Sequence, residues 1–133
     1  MIALAVYLNR KKLTVGGADD LCVLNAIVNA VGKLGKSAAQ IGTRRQPDLW
    51  LSVSGLTSRS GGAQDEHLRW ISHRRLRIGD KITVQLVRTD RPDKPASASV
   101  ATRDRSAATR RLRKRGKTNA KAGSPAARKA ARR

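Results

Sequence analysis

Residues 19–35 read Asp19-Asp20-Leu21-Cys22-Val23-Leu24-Asn25-Ala26-Ile27-Val28-Asn29-Ala30-Val31-Gly32-Lys33-Leu34-Gly35, and the periodicity assigned to this stretch decides the fold class. Leu21, Leu24, Ile27, Val28, Val31 and Leu34 recur at three- and four-residue steps, the spacing that lines one face of an amphipathic helix. Asp19 or Asp20 suits the N-cap and the positive end of the helix dipole, while Lys33, Gly35 and Lys36 suit the C-terminus. Asn25, Asn29 and Ala26 leave the opposite face polar or small. The pattern predicts a helix with one side to bury.

The preceding residues supply a surface for it. Ile2-Ala3-Leu4-Ala5-Val6-Tyr7-Leu8 and Lys12-Leu13-Thr14-Val15 are β-prone and separated by Asn9-Arg10-Lys11, a polar break of hairpin length. Alternation places Ile2, Leu4, Val6 and Leu8 on one face, with Leu13 and Val15 able to join them. Gly16-Gly17 ends the second strand. Downstream, residues 49–56 read as a strand with Leu49, Leu51 and Val53 facing inward and Trp50 out of phase, on the outer face or in a second small core. Ser58-Arg59-Ser60-Gly61-Gly62 is a loop, and His67-Leu68-Arg69-Trp70-Ile71 fits either a short strand or a helical turn. Leu76-Arg77-Ile78-Gly79-Asp80 then turns tightly into a last strand over residues 81–87.

Strand, strand, helix, strand, short strand, strand is an order that resembles the β-grasp, or ubiquitin-like, family over residues 1–90. The Gly79-Asp80 turn into Lys81-Ile82-Thr83-Val84 looks like the turn before the last strand of that family. The resemblance implies an α+β fold, a mixed sheet packed on one helix. Sulfur-carrier and ubiquitin-type members end in Gly-Gly, which is missing after Val87, so carrier chemistry is disfavoured. The expected organisation is a β-grasp-like domain over residues 1–93, a small-residue linker over 94–101 and a tail over 102–133.

Charge separates the tail from the rest. The 133-residue chain carries +20, and residues 101–133 hold 13 basic residues against one acidic, while residues 1–100 hold 16 against eight. Beyond the linker nearly every apolar residue is Ala, so the tail lacks the surface to offset its ordering entropy and is expected to be disordered when free. Arg110, Arg111, Arg113, Lys114, Arg115 and Lys117 form its densest cluster, followed by Lys121, Arg128, Lys129, Arg132 and Arg133. In composition the tail resembles those of linker histones and some bacterial nucleoid proteins, which implies phosphate neutralisation with little base readout.

A second cationic patch is expected on the domain, from Arg10, Lys11 and Lys12 at the hairpin tip and from Arg74, Arg75 and Arg77. Arg44 and Arg45 are further candidates for phosphate contact. The single Cys22 excludes an intrachain disulfide framework or a cysteine-based metal site. Asp65, Glu66, His67 and His73 match no known ligand spacing, and no nucleophile elbow or phosphate-binding loop is present. No signal peptide, membrane span or cofactor motif is read. These observations point to a cytoplasmic, non-enzymatic nucleic-acid-binding accessory protein without metal or cofactor, nucleoid-associated in a bacterial host. Its folded part would supply position or a protein contact, and DNA and RNA remain equally suitable partners. The alternative is a protein-interaction module, of adaptor or immunity type, with an incidental basic tail.

Overall fold

β1 (Ile2–Leu8) and β2 (Lys11–Gly16) form the antiparallel hairpin that the alternation predicts. Asn9 and Arg10 connect them at φ of 49° and 69°, the two left-handed residues that a type I′ turn requires. The structure, a computed structural model, describes residues 1–43 and 45–101. Five further strands follow: β3 (Leu21–Val31), β4 (Asp48–Thr57), β5 (Glu66–Arg75), β6 (Ile82–Arg88) and β7 (Ser97–Val100). One sheet has the order β2-β1-β6 and the other β3-β4-β5-β7, with every pairing antiparallel.

The helix expected over residues 19–35 is therefore corrected to a strand, and the α+β, β-grasp-like class to an all-β sandwich without a helix among the described residues. The reason lies in how the apolar residues divide. Leu24 and Val28 share the inner face of β3 opposite Gly55 and Leu51, whereas Val23, Ile27 and Val31 take the outer face. Two interleaved sets, each spaced by four residues, generate three- and four-residue steps that imitate a helical stripe. Val23, Ile27, Val28 and Val31 are β-branched and Asn25 and Asn29 form helices poorly, so local preference opposes the helix too. As a strand, the segment also satisfies the backbone of β4 along ten paired positions.

A second sheet, rather than a helix, covers the first. Leu4 and Val6 of β1 pack with Leu51 and Val53 of β4, Leu68 and Trp70 of β5, and Leu76. Leu51, Val6 and Val53 are fully buried, each contributing on the order of 1.5–3 kcal/mol relative to exposure. Gly16 sits close under this core, where a Cβ would lie 3.2 Å from Val53 Cγ1 and 3.3 Å from Trp70 Cδ2 and those side chains would have to give by a few tenths of an ångström.

One flank of the sandwich is sewn shut by the segment between β6 and β7. The Asp93 carboxylate accepts from the Val15 amide at 2.7 Å and the Thr14 hydroxyl at 3.2 Å. Its amide donates to the Val15 carbonyl at 2.9 Å, and its carbonyl accepts the Trp70 indole N–H at 2.8 Å. Asp93 thus ties β2 in one sheet to β5 in the other. Ser97–Val100, within the stretch read as a linker, then adds β7 beside β5. The stretch 67–71, ambiguous in sequence, lies inside a ten-residue strand whose register shifts at two irregularities. Among the described residues no helix is long and apolar enough to cross a membrane.

Candidate nucleic-acid interface

The two ends of the sandwich differ in charge, and the pairing registers show why. β1 ends, β3 ends, β4 begins, β5 ends and β6 begins at one end, since Leu8 pairs with Ile82, Val31 with Asp48 and Trp50 with Arg75. Arg10, Lys11, Lys12, Arg74, Arg75 and Arg77 all fall there, together with Lys33, Lys36, Arg45 and Lys81. Among the described residues only Asp48 and Asp80 oppose them. Asp19, Asp20, Asp65, Glu66 and Asp90 gather toward the opposite end, about 30 Å away for strands of this length.

A polar clasp holds the cationic end together. Asn9, in the β1–β2 turn, donates from Nδ2 to Asp80 Oδ1 at 2.9 Å and accepts the Lys81 amide on Oδ1 at 2.9 Å. Its own amide donates to the Lys81 carbonyl at 2.9 Å. Asp80 Oδ2 accepts the Arg77 amide at 2.7 Å, closing the tight turn in which Gly79 has φ 97°. The Asn9 hydrogen bond, then that of the Arg77 amide, hold the Asp80 carboxyl below its ordinary range, with Arg77 and Arg74 adding charge attraction. The hairpin tip is thereby fixed to the Arg74–Arg77 region although some seventy positions separate them, an |i−j| of 71 for Asn9 and Asp80.

Beside the clasp lies an open cleft of about 840 Å³, lined by Arg45, Arg75 and Arg77 with Pro47, Leu49, Leu76 and Ile78 among others. On the outer face of β4, Trp50 is directly across from Arg75. Its ring stacks on His73 with centroids 5.0 Å apart and planes 21° from parallel. The cleft presents guanidinium groups, which match phosphate oxygens in a fork geometry, beside the Asp48 carboxylate. On the outer face of the second sheet, Arg69 is hydrogen-bonded to Ser99 at 3.1 Å and Ser54 to Asn25 at 3.0 Å.

The opposite end neutralises part of its own charge. Arg59 Nε donates to Asp20 Oδ2 at 2.8 Å and Nη2 to Glu66 Oε2 at 3.2 Å. These partners, Asp20 first, raise the Arg59 pKa. Asp65 Oδ1 accepts the Arg59 amide at 2.7 Å. His67 lies on β5 near this end and His73 near the other, and no cluster of three His, Cys, Asp or Glu that could hold a metal is found among the described residues. Cys22 is exposed on β3, its thiol directed to the Leu56 carbonyl at 3.4 Å.

The six domain residues named in the sequence patch thus share one end of the fold. Lys33, Lys36 and Lys81 were missed, because only strand pairing shows that their loops close the same end. The tail cluster from Arg110 to Lys117, with Lys121, Arg128, Lys129, Arg132 and Arg133, lies outside the described residues, as does Arg44. Comparison of the chain with protein-family models, curated proteins and solved structures finds no match.

Proposed function

We propose that this protein binds nucleic acid without catalysis, by phosphate neutralisation, with the cationic end of the sandwich as a fixed contact surface and the basic residues 102–133 adding affinity. The observation that carries this reading is the segregation of charge. Among the described residues ten basic and two acidic ones occupy one end, an excess equal to the whole +8 of residues 1–100. A field of one sign at one end concentrates polyanions there and orients them on approach. Trp50 and His73 add a stacking surface suited to an unpaired base, while Arg45, Arg75 and Arg77 suit the flanking phosphates.

An anionic lipid surface is the second reading, favoured by Leu34, Ile41 and Ile78. These are 61%, 66% and 86% exposed in loops of the same end, where basic residues surround them. Apolar loop tips ringed by Lys and Arg suit a membrane interface. Both readings are tested by titrating the full chain against labelled duplex DNA, single-stranded RNA and vesicles of anionic or neutral phospholipid. The nucleic-acid reading expects log K to fall linearly with log salt on DNA or RNA. Co-flotation with anionic vesicles alone would replace it with the lipid reading, and binding to none of them would refute both.

A further inference from the structure

The flank opposite Asp93 is open. β1 packs on β3 and β2 on β5, so β6, beyond β1, and β3, beyond β4, are edge strands on the same side. Natural sheets blunt such edges with charge, proline, shortness or a cover. On the closed flank both devices are present, since Asp93 covers β2 and β7 has four residues. β3 has neither, being eleven residues long with no charge and no proline, and β6 carries no charge before Arg88.

The inner faces of these edges are also uncovered. Val84 and Leu86 share the core-facing side of β6 with Val6 and Leu4, their partners across the ladder, yet they are 45% and 76% exposed. Val28 on the inner face of β3 is 57% exposed, and Ile2, at the start of β1, borders a hollow with Leu21 and Leu24. The flank thus presents unpaired backbone with an apolar step beside it, which calls for an extended, uncharged, apolar strand. Residues 102–133 do not provide one, because Leu112 is their sole aliphatic residue larger than alanine.

We propose that this flank is the interface between two copies of the chain, in which β3 pairs with β3 of a second copy in antiparallel register about a two-fold axis. β3 meets the occupant's requirements, and charge fixes the direction. Asp19 and Asp20 precede β3 and Lys33 and Lys36 follow it. Antiparallel pairing sets the acidic start of one strand beside the basic end of the other, twice, whereas parallel pairing would juxtapose like charges. Uncharged edges let two strongly cationic chains touch where repulsion is least, and at physiological salt more distant charges are screened beyond about 8 Å. The same axis brings the two β6 strands alongside each other over Val84 and Leu86.

Sedimentation velocity of the full chain at physiological salt tests this. The wild type should form a dimer, and Val28→Lys, which introduces charge at an exposed edge position, should raise the dimer Kd at least roughly tenfold with an unchanged circular dichroism spectrum. Asp19→Lys should also weaken the dimer, and adding Lys33→Asp to it should restore association by swapping the facing charges. A wild type that stays monomeric across the accessible concentration range, or a dimer indifferent to Val28→Lys, would overturn the proposal. Failure of the charge swap to restore what Asp19→Lys removes would overturn the antiparallel pairing.

Discussion

Because formal charge and charge position are separable in this fold, a matched pair of triple variants can decide whether the cationic end is a binding surface. Lys11, Lys12 and Arg77 are exposed at the cationic end, and Arg88, Arg91 and Lys94 are exposed outside it. Replacing either trio by Gln removes three positive charges from the same +20. If the trio at the cationic end makes three phosphate contacts on duplex DNA, its removal lowers the salt slope by about 2.7, since each contact carries about 0.9. Over a rise from about 50 to about 200 mM salt, that corresponds to roughly 40-fold less loss of affinity than in the wild type. The control trio should leave the slope within about one contact of the wild type. Fluorescence anisotropy over four or five salt concentrations measures both, and thermal melts confirm that both variants are folded. Equal slope changes in the two variants would show that affinity follows net charge, and the argument from charge segregation would then be wrong.

Two other outcomes concern the supports of that surface. Asp80 has a lowered pKa, so its bonds stabilise the fold above the ordinary carboxylate pKa of about 3.9 and are lost as pH falls through the lower folded value. Asp80→Asn should therefore melt below the wild type at neutral pH, with the gap closing below about pH 4, and a gap unchanged down to pH 2 would contradict the clasp. Trp70→Phe removes the indole hydrogen bond to the Asp93 carbonyl, at a cost of about 1 kcal/mol plus any cavity. A fall in Tm of about 4–8 °C is expected in a domain of this size, and a melt within about 1 °C of the wild type would count against the sewn flank.

Much of the strand content was legible in the sequence, because alternation with turn residues is local. The hairpin, β4 and β6 lie within one or two residues of expectation, and Trp50 takes the outer face, one of the two places its phase left open. What misled was an edge strand whose two faces are both apolar. Leu24 and Val28 on one side and Ile27 and Val31 on the other give the same spacing as one helical stripe, and only the partner strand distinguishes the two cases. β7 was hidden for a different reason, since Ser97, Ala98 and Ser99 are too small to carry a hydrophobic signal and gain their structure by pairing with β5. The cationic patch was legible as two charge runs, but not as one surface. Its unity comes from Asn9 and Asp80, polar residues of ordinary loop type whose meeting depends on β1 pairing with β6.

A dimer joined along β3 with a cationic end on each copy acquires a property that neither feature has alone. An antiparallel β3 pairing directs the cationic ends of the two copies away from each other, one at each end of the joined eight-stranded sheet formed by two copies of β3-β4-β5-β7. A dimer so built holds two phosphate-binding surfaces facing apart, too far separated to share a short duplex but well placed to hold two. With donor- and acceptor-labelled duplexes mixed, the full chain should bring them into one complex and produce energy transfer at protein concentrations above the dimer Kd. Val28→Lys should abolish that transfer while binding each duplex singly with the wild-type salt slope. Transfer that survives Val28→Lys would place the bridging elsewhere in the chain, and wild-type dimers that bind duplex without transfer would show that the cationic ends do not act as independent surfaces.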